Sequence, residues 1–219
     1  MYQPPHFVEE RLEVQHGLIQ TYPLGLLITA GAGGLMANPI PFFLIPSASE
    51  PSASRKGTLQ AHLARANPQL KELETPTGCM VVFQGPQEYV TPSWYETKRQ
   101  TGKVVPTWNY ATVHVWGTPR LIEDPAWLAS HLETLTQHKE QERPASWAVT
   151  DAPASFIASQ MKGIVGIEID IDRLEGKWKV SQNRPEKDRQ GVLTGFQQQG
   201  EASRPMADLV AEYGGLQGE

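Results

Sequence analysis

Gly57 to Leu73, GTLQAHLARANPQLKEL, is the stretch whose reading decides the fold. Leu59, Ala61 and Leu63 alternate with Thr58, Gln60 and His62, the period of a strand with one buried face. Asn67-Pro68 then opens a short helix, with Asn67 as N-cap and Pro68 in the first helical position. A strand that runs into a helix N-terminus leaves backbone N–H groups unpaired at the junction, and Arg65 sits beside them. Such a corner suits an anion, most economically a phosphate. A capped surface helix with a solvated arginine is the competing reading, and these residues alone leave both open.

Working outward, the chain of 219 residues is long enough to bury a core of its own. A net charge of −5 disfavours broad nucleic-acid binding, which rests on clustered lysine and arginine. The single cysteine, Cys79, lies in an apolar run and reads as a small buried hydrophobe, consistent with a reducing compartment. The opening MYQPPHFVEER has neither the basic nor the apolar segment of a signal peptide, and no apolar run reaches membrane-spanning length. A cytoplasmic protein without membrane contact is expected.

Upstream, Val8 to Gln20 carries an amphipathic helical stripe, and Leu24 to Ala30 with Leu35 to Ile45 reads as a hairpin. Pro39 and Pro41 within its second strand each remove a ladder donor. Pro46 to Lys56, PSASEPSASRK, reads as a flexible surface loop. Downstream, Cys79 to Phe83 is a buried strand, and Gln84 to Tyr110 reads as a long irregular segment rich in aromatics. Thr112 to Ile122 resumes β character, Pro125 to Arg143 is a helix, and another follows Asp151-Ala152-Pro153 to Lys162. Gly163 to Ile171 and Lys177 to Val180 read as two strands, and Met206 to Tyr213 as a short helix in a polar tail. About six strands without strand–helix alternation predict a mainly β fold: a six-stranded antiparallel barrel with appended helices.

Two further segments join the first as candidate binding elements. Arg173 to Arg189, RLEGKWKVSQNRPEKDR, holds six basic residues against three acidic ones, interleaved with Trp178, Gln182 and Asn183. Cations, an aromatic face and amides suit a flat, anionic, hydrogen-bonding ligand, against the plainer reading of a solvated surface strand. Trp94, Tyr95, Trp108 and Tyr110 either anchor their loop or shape a site. The six histidines show no zinc-type spacing, and no nucleophile-elbow, Walker or dinucleotide motif is present, so no metal is expected.

PLGLLIT (Pro23 to Thr29), AHLARANPQ (Ala61 to Gln69), FQGPQEYVTPSWY (Phe83 to Tyr95), VVPTWNYATVHVWG (Val104 to Gly117), MKGIVGIEI (Met161 to Ile169) and EGKWKVSQNR (Glu175 to Arg184) together resemble the PaiB family. Its members are described as FMN-binding negative transcriptional regulators, and the match spans nearly the whole chain. The resemblance implies a homodimeric FMN-binding split β-barrel of the pyridoxamine-phosphate-oxidase type, with the flavin at the dimer interface. It implies that residues 1–185 form this domain with inserted helices, and 186–219 a polar tail with a short helix.

By the same resemblance, the turn of one subunit assigns Arg65 and Asn67 to the phosphate, with His62 on the preceding strand. Trp178, Lys179, Gln182 and Asn183 approach the flavin from the partner chain, and the site also takes Trp108, Asn109 and Thr112. The second strand, Ala37 to Pro41 with Asn38, would face the isoalloxazine ring. Here the sequence departs from the family pattern, since Asn38-Pro39 stands where a histidine-containing segment is expected. The implied function is an FMN-binding regulatory flavoprotein; the alternatives are an FMN-dependent oxidoreductase on a small substrate, or a haem-handling barrel protein using His62 or His114. No side chain is an evident acid or base, so no catalytic residue is assigned and enzymatic activity stays open.

Overall fold

The computed structural model describes residues 1–47, 56–74 and 78–216. In chain order the elements are β1 (Val8–Glu9), α1 (Leu12–Thr21), β2 (Leu24–Gly31), β3 (Gly34–Pro41), β4 (Phe43–Ile45), β5 (Thr58–Ala64), α2 (Gln69–Leu73) and β6 (Cys79–Val90). They continue with α3 (Glu96–Thr101), β7 (Thr107–Ile122), α4 (Pro125–Glu140), α5 (Ala154–Met161), β8 (Ile164–Lys179), α6 (Glu186–Gln198) and α7 (Arg204–Gly214). The strands form one sheet in the order β3-β2-β6-β7-β8-β5-β4, with β1 added to β8, and every registered pair is antiparallel. The expected six-stranded barrel is therefore corrected to an open sheet of eight strands.

The difference has local causes. Gly163 to Ile171 and Lys177 to Val180 are one strand, β8, whose polar middle hides its continuity. One half of β8 pairs with β5, from Thr58↔Asp170 to Ala64↔Ile164, and the other half pairs Lys177 and Gly176 with Val8 and Glu9. Pairing takes Val8 and Glu9 out of the expected helix, and Gln15 Nε2 donates to the Glu9 carbonyl where α1 begins. The expected second strand of the hairpin is broken into β3 and β4 around Phe42. Most of Gln84 to Tyr110 is ordered as well. β6 runs on to Val90, a 3-10 turn and α3 follow, and Gly102 closes α3 in the left-handed conformation at φ 68°. Of the expected loop at Pro46 to Lys56, residues 48–55 lie outside the described residues.

By packing, the chain divides into two units, and it passes between them within α1, β6, β7 and β8. The first comprises residues 1–18, 84–113 and 175–219. Its core holds Phe7, Val90, Tyr95, Val113, Trp178, Val192, Phe196, Met206 and Val210. Beyond residue 185 the chain is not a tail with one short helix, because α6 and α7 both bury apolar faces. In α6 the buried face includes Asp188, whose carboxylate accepts from Thr97 N at 2.9 Å and Thr97 Oγ1 at 2.8 Å. The second unit comprises residues 19–83 and 114–174. Its core is built from Leu27, Leu44, Leu59, Ala61, Leu63, Val81, Phe83, Val115, Val165, Ile167 and Ile169. Each fully buried Val, Leu, Ile or Phe among them stabilises by about 1.5–3 kcal/mol, so these inward-facing alternations fix the register.

Candidate functional site

The strand–helix turn lies in the second unit. β5 ends at Ala64, Asn67 N bonds the Ala64 carbonyl at 2.8 Å, and α2 begins at Gln69 with Pro68 as N-cap, one residue later than expected. Asn67 still caps: its Oδ1 accepts from Gln69 N at 3.0 Å. Arg65 is held by its backbone N–H on Gly163 O and by its guanidinium on the carbonyls of Lys162 and Ile164 and the carboxylate of Glu123. The arginine is aimed rather than loose, and 48% of its side chain stays exposed.

Behind the turn sits Gln69, fully buried and absent from the expected site. Its Nε2 donates to Leu27 O at 3.0 Å and Thr29 Oγ1 at 3.2 Å, and its Oε1 accepts from Asn38 Nδ2 at 2.9 Å. Asn38 is thus spent on fixing the turn against β2 and β3. His62 also turns away from the phosphate corner: its Nδ1 lies 3.2 Å from Nε2 of His131 on α4, which stacks on Trp127. Burial lowers the His62 pKa, and burial followed by the His62 charge lowers that of His131 to about 4.

The second constellation lies in the first unit, where the end of β8 meets the start of β7. A cleft of about 130 Å³ is lined by Phe7, Thr107, Asn109, Lys179, Ser181, Asn183 and Arg184. Lys179 Nζ donates to Thr107 Oγ1 and, at 2.6 Å, to the Trp108 carbonyl. Burial, then the charges of Arg184 and Lys177, lowers its pKa. Ser181 holds φ at 70°, a left-handed backbone that costs a non-glycine residue on the order of 1 kcal/mol. It is kept there by mutual hydrogen bonds to Asn109, with Ser181 Oγ at 3.0 Å from Nδ2 and 3.1 Å from Oδ1. Gln182 folds back on its own strand, its Oε1 on Val180 N at 2.8 Å and its Nε2 on the Trp178 carbonyl.

Of the expected site residues, Asn109, Lys179 and Asn183 converge on this cleft from segments some seventy residues apart, and Trp108 stands exposed beside them. Asn38 and Asn67 meet through Gln69. Trp178 is 2% exposed, stacked on Tyr213 in the core, and Thr112 is buried; neither lines the cleft. Thr107, Ser181 and Arg184 line the cleft as well, beyond the residues the sequence points to. Ser181 and Arg184 stood in the basic run as an ordinary polar residue and an ordinary cation, and nothing local signalled the positive φ.

The donor chemistry suits one edge of a flavin nucleotide, since about 130 Å³ is too small to enclose the whole cofactor. The cleft presents ammonium, guanidinium, amide and hydroxyl groups and no carboxylate, in a chain that is acidic overall. An anionic ligand with a hydrogen-bonding ring edge meets partners there without charge repulsion.

The fold is a mainly β antiparallel sheet with appended helices. The chain belongs to the family described as "Putative FMN-binding domain", whose model matches residues 1–173. FMN is its cofactor. It is 38% identical over 246 residues to an uncharacterized protein of Emericella nidulans, covering 98% of both chains. It is 29% identical over 218 residues to the protease synthase and sporulation protein PAI 2 of Bacillus subtilis, covering 97% of both. Among solved structures, the FAD and heme binding protein from Mycobacterium smegmatis matches with a TM-score of 0.55 at 17% identity, over 78% of this chain and 71% of that one. That likeness shows a shared fold.

Proposed function

We propose that this chain is an FMN-binding regulatory flavoprotein of the PaiB type, working as a homodimer. One protomer's Arg65 turn takes the phosphate, and the other protomer's Lys179 cleft takes the ring. The observation that carries this reading is the carboxylate-free cleft of Asn109, Lys179, Asn183 and Arg184 in an acidic chain. Bound FMN supplies redox chemistry at its ring; the protein supplies position and charge. Lys179, partly buried and pinned by Thr107 and the Trp108 carbonyl, keeps a cation at a fixed place. Trp108, 48% exposed and fixed through Nε1 to Gln87 Oε1 at 2.9 Å, offers an aromatic face at the same edge.

The dimer is supported by one face of the β2–β3 hairpin. The register sets Leu24 opposite Pro41, Leu26 opposite Pro39, Ile28 opposite Ala37 and Ala30 opposite Leu35. All eight are apolar, and Leu24 and Leu35 are 62% and 80% exposed. A contiguous apolar sheet face of this kind marks an interaction surface. A regulatory role rests on the resemblance to the PaiB family and would act through the flavin. The net charge of −5 and the lack of a basic recognition helix among the described residues oppose direct DNA reading.

The test is a titration of the purified protein with FMN and with riboflavin, followed by flavin fluorescence. Arg65→Ala should weaken FMN by about tenfold, the worth of one partly exposed charge-assisted contact, and leave riboflavin unchanged. Equal losses for both ligands, or no loss, would remove Arg65 from the phosphate site. Failure of wild-type protein to bind either ligand would overturn the reading.

A further inference from the structure

A groove of about 530 Å³ lies between α4, the turn that follows it and α5, within the second unit. Its volume falls in the range of roughly 300–1,000 Å³ typical of small-molecule sites. Leu132, Val149 and Ile157 form an apolar wall, and the Trp147 indole is 46% exposed at its side. Glu133 and Glu140 are its charged lining, with no lysine or arginine.

The two acids differ. Glu140 accepts from the Trp147 backbone N–H at 3.2 Å and pairs with Arg143 Nε at 3.2 Å, so its charge is neutralised and spent on holding the turn. Glu133 has no hydrogen bond or ion pair among the described residues. One negative charge therefore faces an apolar, aromatic groove without a counter-ion.

The walls are fixed without an occupant. Asp124 caps α4 by accepting from Ala126 N at 3.0 Å, and Asp151 accepts from Ala148 N at 2.8 Å. Arg65 ties Glu123, at the head of α4, to the carbonyls of Lys162 and Ile164, which follow α5. A groove pinned in this way costs little ordering entropy when filled. Yet α5 buries none of its residues, and Phe156 is 54% exposed.

We propose that this groove is a binding site for an amphipathic organic monocation. Its apolar body lies against Trp147, Leu132, Val149 and Ile157, and its ammonium group faces Glu133. Charge selects the class: an anion of the same skeleton meets Glu133 unfavourably, and a neutral ligand gains no attraction from this exposed carboxylate. The groove shares no lining residue with the Arg65 turn or the Lys179 cleft, so the proposal stands apart from the flavin reading.

The test uses three probes of one skeleton, phenylbutylamine, phenylbutanol and phenylbutanoate, titrated calorimetrically into the full chain. The amine should bind about fivefold more tightly than the alcohol, the worth of one exposed charge pair, and the carboxylate least. Glu133→Gln, at an exposed position that does not endanger folding, should erase the amine-over-alcohol preference and leave alcohol binding unchanged. Trp147→Ala should weaken all three. Equal affinity for the three probes, a preference that survives Glu133→Gln, or no binding of the amine overturns the proposal.

Discussion

His131 is 3% exposed, its Nδ1 has no hydrogen-bond partner, and its Nε2 faces Nδ1 of His62. Were His62 the donor of that bond, neutral His131 would carry its own proton on the orphaned Nδ1, leaving a buried donor unmet. The tautomer with His131 Nε2–H donating leaves only a bare acceptor there, and costs less. Because its pKa falls from 6.5 to about 4 on folding, its stabilising contribution is complete above pH 6.5 and lost as pH falls towards 4. Urea midpoints across that window should drop by the equivalent of roughly 3 kcal/mol, and His131→Leu should flatten most of the slope. Gln69 makes a second prediction at this scale. Gln69→Leu keeps the volume but strips partners from Asn38, Thr29 and the Leu27 carbonyl. Chemical denaturation should show a loss of roughly 2–3 kcal/mol, while the Asn67 cap, which rests on the Gln69 backbone N–H, stays in place. A variant as stable as wild type would show that the network is dispensable.

Among the elements, α6 shows how close packing can override propensity. A Cβ on Gly191 would stand 2.0 Å from the Trp94 carbonyl oxygen, and one on Gly195 2.3 Å from the Trp94 ring. Alanine at either site would gain up to about 1 kcal/mol of helix propensity. The clash with a backbone atom costs about 1–3 kcal/mol, so Gly191→Ala should lower the thermal midpoint rather than raise it. These same glycines hid α6 from the sequence, since they sit where a helical stripe would otherwise read clearly. β6 was hidden in a similar way: Pro86 and the polar residues beyond it look like a loop, because the alternation of burial that runs from Cys79 to Gly85 changes phase there before ending on buried Val90. By contrast β5, α4 and the helix near Met206 were legible, because their apolar periods and caps are local properties.

For the whole molecule, the exposed apolar face of β2–β3 makes the oligomer the quantity to measure. Leu26→Lys combined with Leu35→Glu places charges on that face. Light scattering should then give the mass of one chain in place of the proposed dimer, with FMN affinity reduced at least about tenfold as the proposed shared site is lost. A double variant that remains dimeric would move the interface elsewhere. Among the described residues no helix is long and apolar enough to cross a membrane.

The sequence by itself determined the family, the cofactor and the strand-to-helix turn at Arg65, because alternation, capping and motif blocks are written in neighbouring residues. It also held the basic run that ends β8, since a cluster of like charges is visible without coordinates. Tertiary structure alone decided what those residues do. It turned His62 towards His131, committed Asn38 to Gln69, buried Trp178 against Tyr213, and set Ser181 at a positive φ beside Asn109. It also joined two apparent strands into β8. In each case the deciding partner lies dozens of residues away along the chain, and the free energy of burial and hydrogen bonding, not local preference, selects it.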